Sequence, residues 1–147
     1  MKRLVATLFL TLCCGFIHAE DAIRVFKTKG QFDDVKANIV TAIEGQGLVI
    51  NTTSYISDML HRTGGDIGNS TPIYGQAEIF EFCSASASRT MMAADPKNMA
   101  FCPYAISVYT LPGKSNEVFV AHRPLPDLPP FKAAREIIDG ILREALN

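Results

Sequence analysis

The sequence predicts a small domain of the α+β class, in which a mixed sheet of about four to five strands carries helices packed on it. Two segments, 31–44 and 131–146, repeat apolar residues at the three- and four-residue spacing of amphipathic helices. Short stretches rich in β-branched and aromatic residues lie between these two segments, as expected for the strands of a single sheet. No internal repeat divides the chain, so we expect a single domain with a C-terminal helix.

The first 19 residues have the three parts of a secretory signal peptide. Lys2 and Arg3 form a positive start, an almost unbroken apolar run follows over 4–16, and a small residue, Ala19, precedes the proposed cut. The run is shorter than the about 20 apolar residues that a membrane-spanning helix needs. We therefore expect cleavage after Ala19 and a periplasmic or secreted protein without a transmembrane segment. An uncleaved N-terminal anchor and a lipid attached at Cys13 or Cys14 are the alternatives.

Cleavage would leave 128 residues, which is enough for one domain with its own core. Of 14 basic residues, Lys2 and Arg3 would be lost, and the remaining 12 against 15 acidic residues give a net charge near −3. This charge argues against binding to nucleic acid, which favours a basic surface.

The mature chain begins with an alternating strand at 22–27 and continues into the helix at 31–44, which Gly45 and Gly47 end. A second strand at 48–53 and a short helix at 54–62 follow. The glycine-rich stretch 64–75 predicts a long loop. The remaining predicted elements are a strand at 77–83, a helix over 84–94 capped by Ser84 or Ser86, and a hairpin of strands 105–111 and 117–122.

We place the body of the domain at 20–123. Residues 124–130 contain four prolines and predict a stiff linker. The segment 131–147 is then an amphipathic helix that packs on the domain or on a dimer partner. Its apolar stripe consists of Phe131, Ala134, Ile137, Ile138, Ile141, Leu142 and Ala145.

One stretch carries a family resemblance. A strand ending in Phe82 is followed by a polar turn at Ser84, the pair Met91-Met92, the step Asp95-Pro96, Pro103 and the strand residues Val108-Tyr109. In this order and spacing the segment resembles the family named domain of unknown function 302, over about residues 30–122. The resemblance implies a small α+β domain that is often a homodimer, and it implies no activity. Many members have an acidic residue and a histidine after the second strand, whereas here the nearest histidine is His61.

Cys83 and Cys102 are the two cysteines of the mature chain. In an oxidising compartment two such residues often pair, and a disulfide here would contribute about 3 kcal/mol of stability. If the strands beside helix 84–94 run parallel, however, the two residues lie a strand length apart, beyond the about 7 Å between Cα atoms that a bridge allows. Cys83 also precedes a helix start, where a thiolate is favoured. Disulfide, free structural thiols and a functional thiol or metal ligand therefore all stay open.

No catalytic signature is present: the sequence lacks a nucleophile elbow, a phosphate-binding loop and a dinucleotide-binding glycine motif. No motif requires a cofactor, although Cys, Met and His side chains are ligands for copper or haem iron. We expect a non-catalytic domain that binds a small ligand or another protein. The alternatives are a thiol redox or sulfur-handling protein acting through Cys83 and Cys102, and a copper or haem carrier. The candidate ligand-binding residues are Cys83, Ser84, Ser86, Arg89, Met92, Cys102 and Tyr104.

Overall fold

Five strands and four α-helices follow one another in the computed structural model, which describes residues 22–147. The predicted signal peptide lies outside the described residues. The strands are β1 (Arg24–Lys29), β2 (Ile50–Tyr55), β3 (Ala77–Phe82), β4 (Tyr104–Thr110) and β5 (Glu117–His122). The helices are α1 (Phe32–Gly45), α2 (Ile56–Gly64), α3 (Ala85–Ala94) and α4 (Lys132–Ala145), with 3-10 turns at Pro96–Phe101 and Pro129–Phe131.

The strands form one sheet in the order β1-β5-β4-β3-β2, and every neighbouring pair is antiparallel. The α+β class and the β4–β5 hairpin are thus confirmed, but the expectation of a mixed sheet is wrong. The difference arises at α3. This helix of 10 residues is about 15 Å long, and the 3-10 turn behind it brings the chain back to the end of the sheet that it left. The next strand therefore runs antiparallel to β3.

One face of the sheet carries the core. Alternate residues of β4 and β5 point to this face and are fully buried: Ile106, Val108, Val118 and Val120. Ile39 of α1 and Ile141 of α4 pack over them with no exposed surface. Burial of each such side chain contributes about 1.5–3 kcal/mol relative to an exposed position. The apolar stripes that predicted the two long helices are therefore what attaches these helices to the sheet.

The last helix lies against the first. A side chain at Gly140 would place its Cβ 2.9 Å from Nε2 of Gln46, the residue that follows α1. Gly140 thus leaves room for the end of the Gln46 side chain where the two helices meet. The apolar stripe of α4 is thereby covered within the chain, with Ala134, Ile138, Ile141 and Leu142 all buried.

On the other face of the sheet, Tyr74 from the loop after α2 packs edge to face against Tyr109 of β4. The side chains of this face come from the alternate positions of the strands and are mixed in character, with Val25 52 % exposed at the β1 edge. Tyr109 of β4 and Phe119 of β5 stack there, with ring centroids 5.1 Å apart. We call this surface, with Val25, Ile79, Tyr109 and Phe119, the open face.

Several predicted boundaries are shifted. Strands β1 and β2 begin and end two residues later than predicted, and α2 follows β2 directly. In β2 the register slips by one residue between Ile50 and Thr52, where a bulge interrupts the pairing with β3. A bulge has no hydrophobic period, so the sequence pattern does not reveal it.

None of the helices in residues 22–147 has the length and apolar character required to cross a bilayer.

Candidate functional site

Cys83 and Cys102 meet at one end of the sheet because of the antiparallel register of β3 and β4. Phe82, the last residue of β3, is paired with Tyr104, the first residue of β4. Cys83 follows the first of these residues and Cys102 precedes the second by two positions. The parallel arrangement that would have separated the cysteines by a strand length is therefore absent.

The two sulfur atoms are in contact, with 2.8 Å between Sγ of Cys83 and Sγ of Cys102. They are not bonded here, and both residues are half-buried. A disulfide bond, at about 2.05 Å, would require the sulfurs to approach by about 0.8 Å. Free thiols and a disulfide are thus both reachable with small side-chain movement.

Two hydroxyl groups continue this cluster toward the core. Oγ of Ser88 lies 3.6 Å from the Cys102 sulfur and 3.4 Å from the hydroxyl of Tyr104. Tyr104 is only 2 % exposed, and its ring packs edge to face against Phe82. The buried phenol is satisfied by Ser88, a residue of α3 outside the predicted candidate set. Ser88 lies one helical turn after Ser84, and residues at this spacing share a helix face, so the sequence could have placed Ser88 beside the candidate residues.

The thiol of Cys83 is a weak acid in this setting. Burial, together with the contact with the Cys102 sulfur, raises its pKa to about 11. Burial also raises the pKa of the Tyr104 phenol. A helix N-terminus favours a thiolate, as the sequence suggested, but here desolvation of the charged form is the stronger effect. Reduced Cys83 therefore stays protonated near neutral pH.

The other predicted ligand residues have simpler positions. Ser84 is the N-cap of α3, because its Oγ accepts a hydrogen bond from the backbone N–H of Ala87. Ser86 contacts Ser84 at 3.3 Å between their hydroxyl oxygens. Arg89 is exposed on α3, and Met92 is half-buried beside it. The structure thus brings Cys83, Cys102 and Tyr104 together, with the serines at the adjacent helix start.

A pocket of about 210 Å³ lies beside the segment that connects the 3-10 turn to β4. Phe101, Pro103 and Tyr104 form one wall, and Leu125 of the proline-rich linker and Ile138 of α4 form the other. The peptide bond between Cys102 and Pro103 in the first wall is cis. Arg123 supplies a basic group at the pocket, which is otherwise lined by Ala22, Ala100, Ala105 and Pro124. We call it the linker pocket.

A second, polar pocket of about 270 Å³ lies next to the linker pocket and shares Pro124, Leu125 and Ile138 with it. His122 lines this pocket, which we call the His122 pocket. Its other lining residues are charged: Arg24, Asp127, Arg135 and Asp139. This group is not among the residues predicted from the sequence, although His122 continues the buried alternation of Val118 and Val120 in β5.

The soft ligands considered for copper or haem are dispersed. Met91 is fully buried in the core, Met99 is 65 % exposed, and His61 lines a separate pocket under the loop that follows α2. Within residues 22–147 no group of three or more His, Cys, Asp or Glu side chains is arranged to hold a metal ion.

Comparison with known proteins identifies the family. The family profile described as domain of unknown function DUF302 matches residues 24–145. The chain belongs to the DUF302 family. The match includes the linker and α4, which lie beyond the region 30–122 where the sequence resembled this family.

A solved structure from Bacillus stearothermophilus, described as an uncharacterized conserved protein DUF302, has the same fold. It aligns with a TM-score of 0.61 and 14 % identity, and the alignment covers 84 % of this chain and 94 % of that one. At this identity the likeness concerns the DUF302 fold alone. No curated protein matches the sequence.

Proposed function

We propose that the protein is an exported, non-catalytic DUF302 domain that binds a small ligand in the linker pocket. The observation that supports this most directly is the pocket's position, because one of its walls, Phe101–Tyr104, contains Cys102 and is held by the contact of that residue with Cys83. Concave sites of mixed apolar and polar lining are the usual form of small-molecule sites. Export is part of this proposal and is supported by the signal-peptide pattern of residues 1–19.

The cysteines, in this proposal, form a disulfide that fixes the pocket wall. Their sulfurs are already in contact, and an oxidising compartment favours the bond. A pKa of about 11 makes reduced Cys83 a poor nucleophile at neutral pH, which argues for a structural role over a catalytic one. The bridge would tie the start of α3 to the entry of β4.

A pocket-filling variant tests the binding function. Ala100 is exposed and lines the linker pocket, so Ala100→Trp should block the pocket without disturbing the core. Native mass spectrometry of the protein purified from its own compartment should show a retained small molecule that the variant loses. Ala93→Trp, on an exposed position of α3 outside the pocket, is the matched control and should keep the molecule. If the purified protein carries no molecule and none of a panel of small acids, amines and amino acids binds it in calorimetry, the proposal is wrong.

A thiol redox function is the second candidate, and one observation favours it. Both cysteines are half-buried rather than fully enclosed, so a reductant or a substrate disulfide has access to the sulfurs. Exchange through such a pair would require a thiolate at neutral pH, against the raised pKa of Cys83. Catalysed reduction of a small disulfide by the protein, lost in Cys83→Ser, would favour this function over simple binding.

We also propose that the protein is a homodimer that associates through the open face. Ile79, Tyr109 and Phe119 give this face an apolar centre, and Val25 extends it to the β1 edge, where its side chain is 52 % exposed. A second copy could bury it, because the two faces would carry the same groups and a two-fold axis makes such a patch self-complementary.

A further inference from the structure

Cys83 and Cys102 are in contact, but the chain around them differs in exposure. Cys102 follows Phe101, which is 37 % exposed, and precedes an exposed proline. Cys83 lies between Phe82, which is 0 % exposed, and Ser84, which is 5 % exposed. Both cysteines are half-buried. A molecule that arrives from solvent therefore approaches Cys102 along exposed chain, whereas the chain on both sides of Cys83 is enclosed.

The two sulfurs also differ in how they hold their protons. Burial and the contact with Cys102 raise the pKa of Cys83 to about 11, and a backbone hydrogen bond from Tyr104 offsets only part of this. Cys83 therefore keeps its proton near neutral pH, and its S–H is placed to donate to the Cys102 sulfur, 2.8 Å away. Because the thiolate is the nucleophile in disulfide exchange, Cys83 is the poorer attacking group of the pair.

The Cys102 sulfur has a second polar neighbour on the side of the core. Oγ of Ser88 lies 3.6 Å from it, and the same oxygen lies 3.4 Å from the hydroxyl of Tyr104. Ser88 is 8 % exposed and Tyr104 is 2 % exposed. The Cys102 side chain thus contacts the interior through Ser88 and Cys83 and, because the residue is half-buried, keeps an accessible part for a reactant.

We propose that Cys102 is the site at which a disulfide of low molecular weight, RSSR, reacts with the protein and that Cys83 resolves the product. The Cys102 thiol gives its proton to water, and its sulfur attacks one sulfur of RSSR, whose S–S bond breaks. One half leaves as RSH after taking a proton from water, and Cys102 holds the other half as a mixed disulfide. Cys83 then gives its proton to water and displaces the second RSH. Two cysteine thiols are thereby oxidised to one disulfide, and RSSR is reduced to two thiols.

The contact between the sulfurs favours this second step. Cys83 is already beside the atom that it must attack, which gives the intramolecular reaction a high effective concentration. In addition, the part of the raised pKa of Cys83 that comes from the Cys102 thiol is removed once that sulfur is in a mixed disulfide. The inference goes beyond the proposed binding function, because it assigns the route by which the bridge on the wall of the linker pocket forms.

Competitive alkylation of the reduced full chain tests which sulfur reacts first. With a limiting amount of iodoacetamide at about pH 7.5, peptide mapping should find Cys102 labelled about tenfold or more faster than Cys83, since little of Cys83 is thiolate. The small disulfide used as oxidant is bis(2-hydroxyethyl) disulfide. With it, the reduced wild type should form the internal disulfide and retain no adduct.

Single variants trap the two steps separately. Cys83→Ser should accumulate one stable hydroxyethylthio group on Cys102, seen as a mass increase that dithiothreitol removes. Cys102→Ser is the matched control, and its Cys83 should acquire the group about fivefold or more slowly, because burial still disfavours the thiolate. Circular dichroism checks the fold of each variant, and Cys83→Ala replaces Cys83→Ser if the hydroxyl disturbs this half-buried position.

Labelling of Cys83 as fast as or faster than Cys102 in the reduced wild type would overturn the assignment, as would equal rates of adduct formation in the two single variants. A wild type that retains the adduct without forming the internal disulfide would reject the resolving role of Cys83. These outcomes leave the binding function standing, because loss of a retained molecule in Ala100→Trp does not depend on which cysteine reacts first.

Discussion

Phe82 and Tyr104 are register partners across β3 and β4, and their rings pack edge to face with centroids 5.8 Å apart. This pair marks the point where the chain leaves the sheet and the point where it returns. The two cysteines flank the pair on its outer side, which is why their sulfurs meet. The pairing of the strands thus creates the sulfur contact, and a covalent bond would add to it.

The first prediction concerns that bond. If Cys83 and Cys102 are joined in a disulfide, reduction should lower the free energy of unfolding by about 3 kcal/mol, since the bridge restricts the unfolded chain. Urea unfolding with and without dithiothreitol measures the difference. Cys83→Ser and Cys102→Ser should each resemble the reduced protein and should no longer respond to reductant. Two reactive sulfhydryls in the unreduced native protein would contradict the prediction.

A second prediction concerns the reduced thiol. With a pKa of about 11, Cys83 should alkylate slowly near neutral pH, and its rate should rise about tenfold for each pH unit until it approaches that value. Rates of iodoacetamide labelling of the reduced protein, followed by mass spectrometry, test this. In Cys102→Ser one of the two main causes of the raised pKa is removed, so Cys83 should react faster at the same pH. Rapid labelling of Cys83 in the reduced wild-type protein near pH 7 would instead support the redox function.

His122 should make stability depend on pH. Burial lowers its pKa below the ordinary value of 6.5, so below that pH the unfolded chain binds more protons than the folded one. The stability that this residue contributes is therefore complete above about pH 6.5 and is lost as the pH falls through the lower pKa of the folded state.

Urea unfolding from about pH 7.5 to about pH 5 measures this loss, which should be smaller in His122→Gln than in the wild type. The exposed His61 provides the control, and His61→Gln should retain the wild-type slope. Parallel curves for the wild type and His122→Gln would show that the imidazole does not titrate differently on folding.

The open face yields a prediction about assembly. Val25→Glu places a charge on its apolar rim, which should favour the monomer because burial of an unpaired carboxylate is costly. Light scattering or sedimentation at micromolar concentration distinguishes the two states. Leu128→Glu, at a linker position that is 55 % exposed and whose carbonyl oxygen accepts a hydrogen bond from Arg135 of α4 on the core side, should leave the dimer intact. A wild-type protein that is already monomeric would refute association through the open face.

Sequence pattern predicted the parts of the fold that repeat. The spacing of the apolar residues Phe32, Val35, Ile39 and Ile43 predicted α1, and alternation of apolar and polar residues predicted the β4–β5 hairpin. Positions that are buried at a regular spacing are apolar at the same spacing in the sequence. The direction of β4 relative to β3 does not appear as a pattern of apolar residues in the sequence. It depends on how far the chain travels between Phe82 and Tyr104, which no local signal encodes.

The candidate site was predicted unevenly for a related reason. Cys83, Cys102 and Tyr104 were chosen for their chemistry and proximity to one helix start, and they do meet. Arg24, His122 and Asp139 lie on three elements that are distant in sequence, and only the sheet register and the packing of α4 bring them to one pocket. The sequence shows a histidine in a buried alternation, but it does not show which charged residues the fold places beside that histidine.

The segment between Phe82 and Tyr104 leaves the sheet and returns to it at paired positions of β3 and β4. Its length therefore does not affect how these two strands pair. Only a few of its residues, among them Ala87 and Met91, are anchored in the core. The exposed turn at 97–100 can therefore lengthen or change without shifting the alignment of any strand. This is a place where the sequences of relatives can diverge while the sheet stays the same.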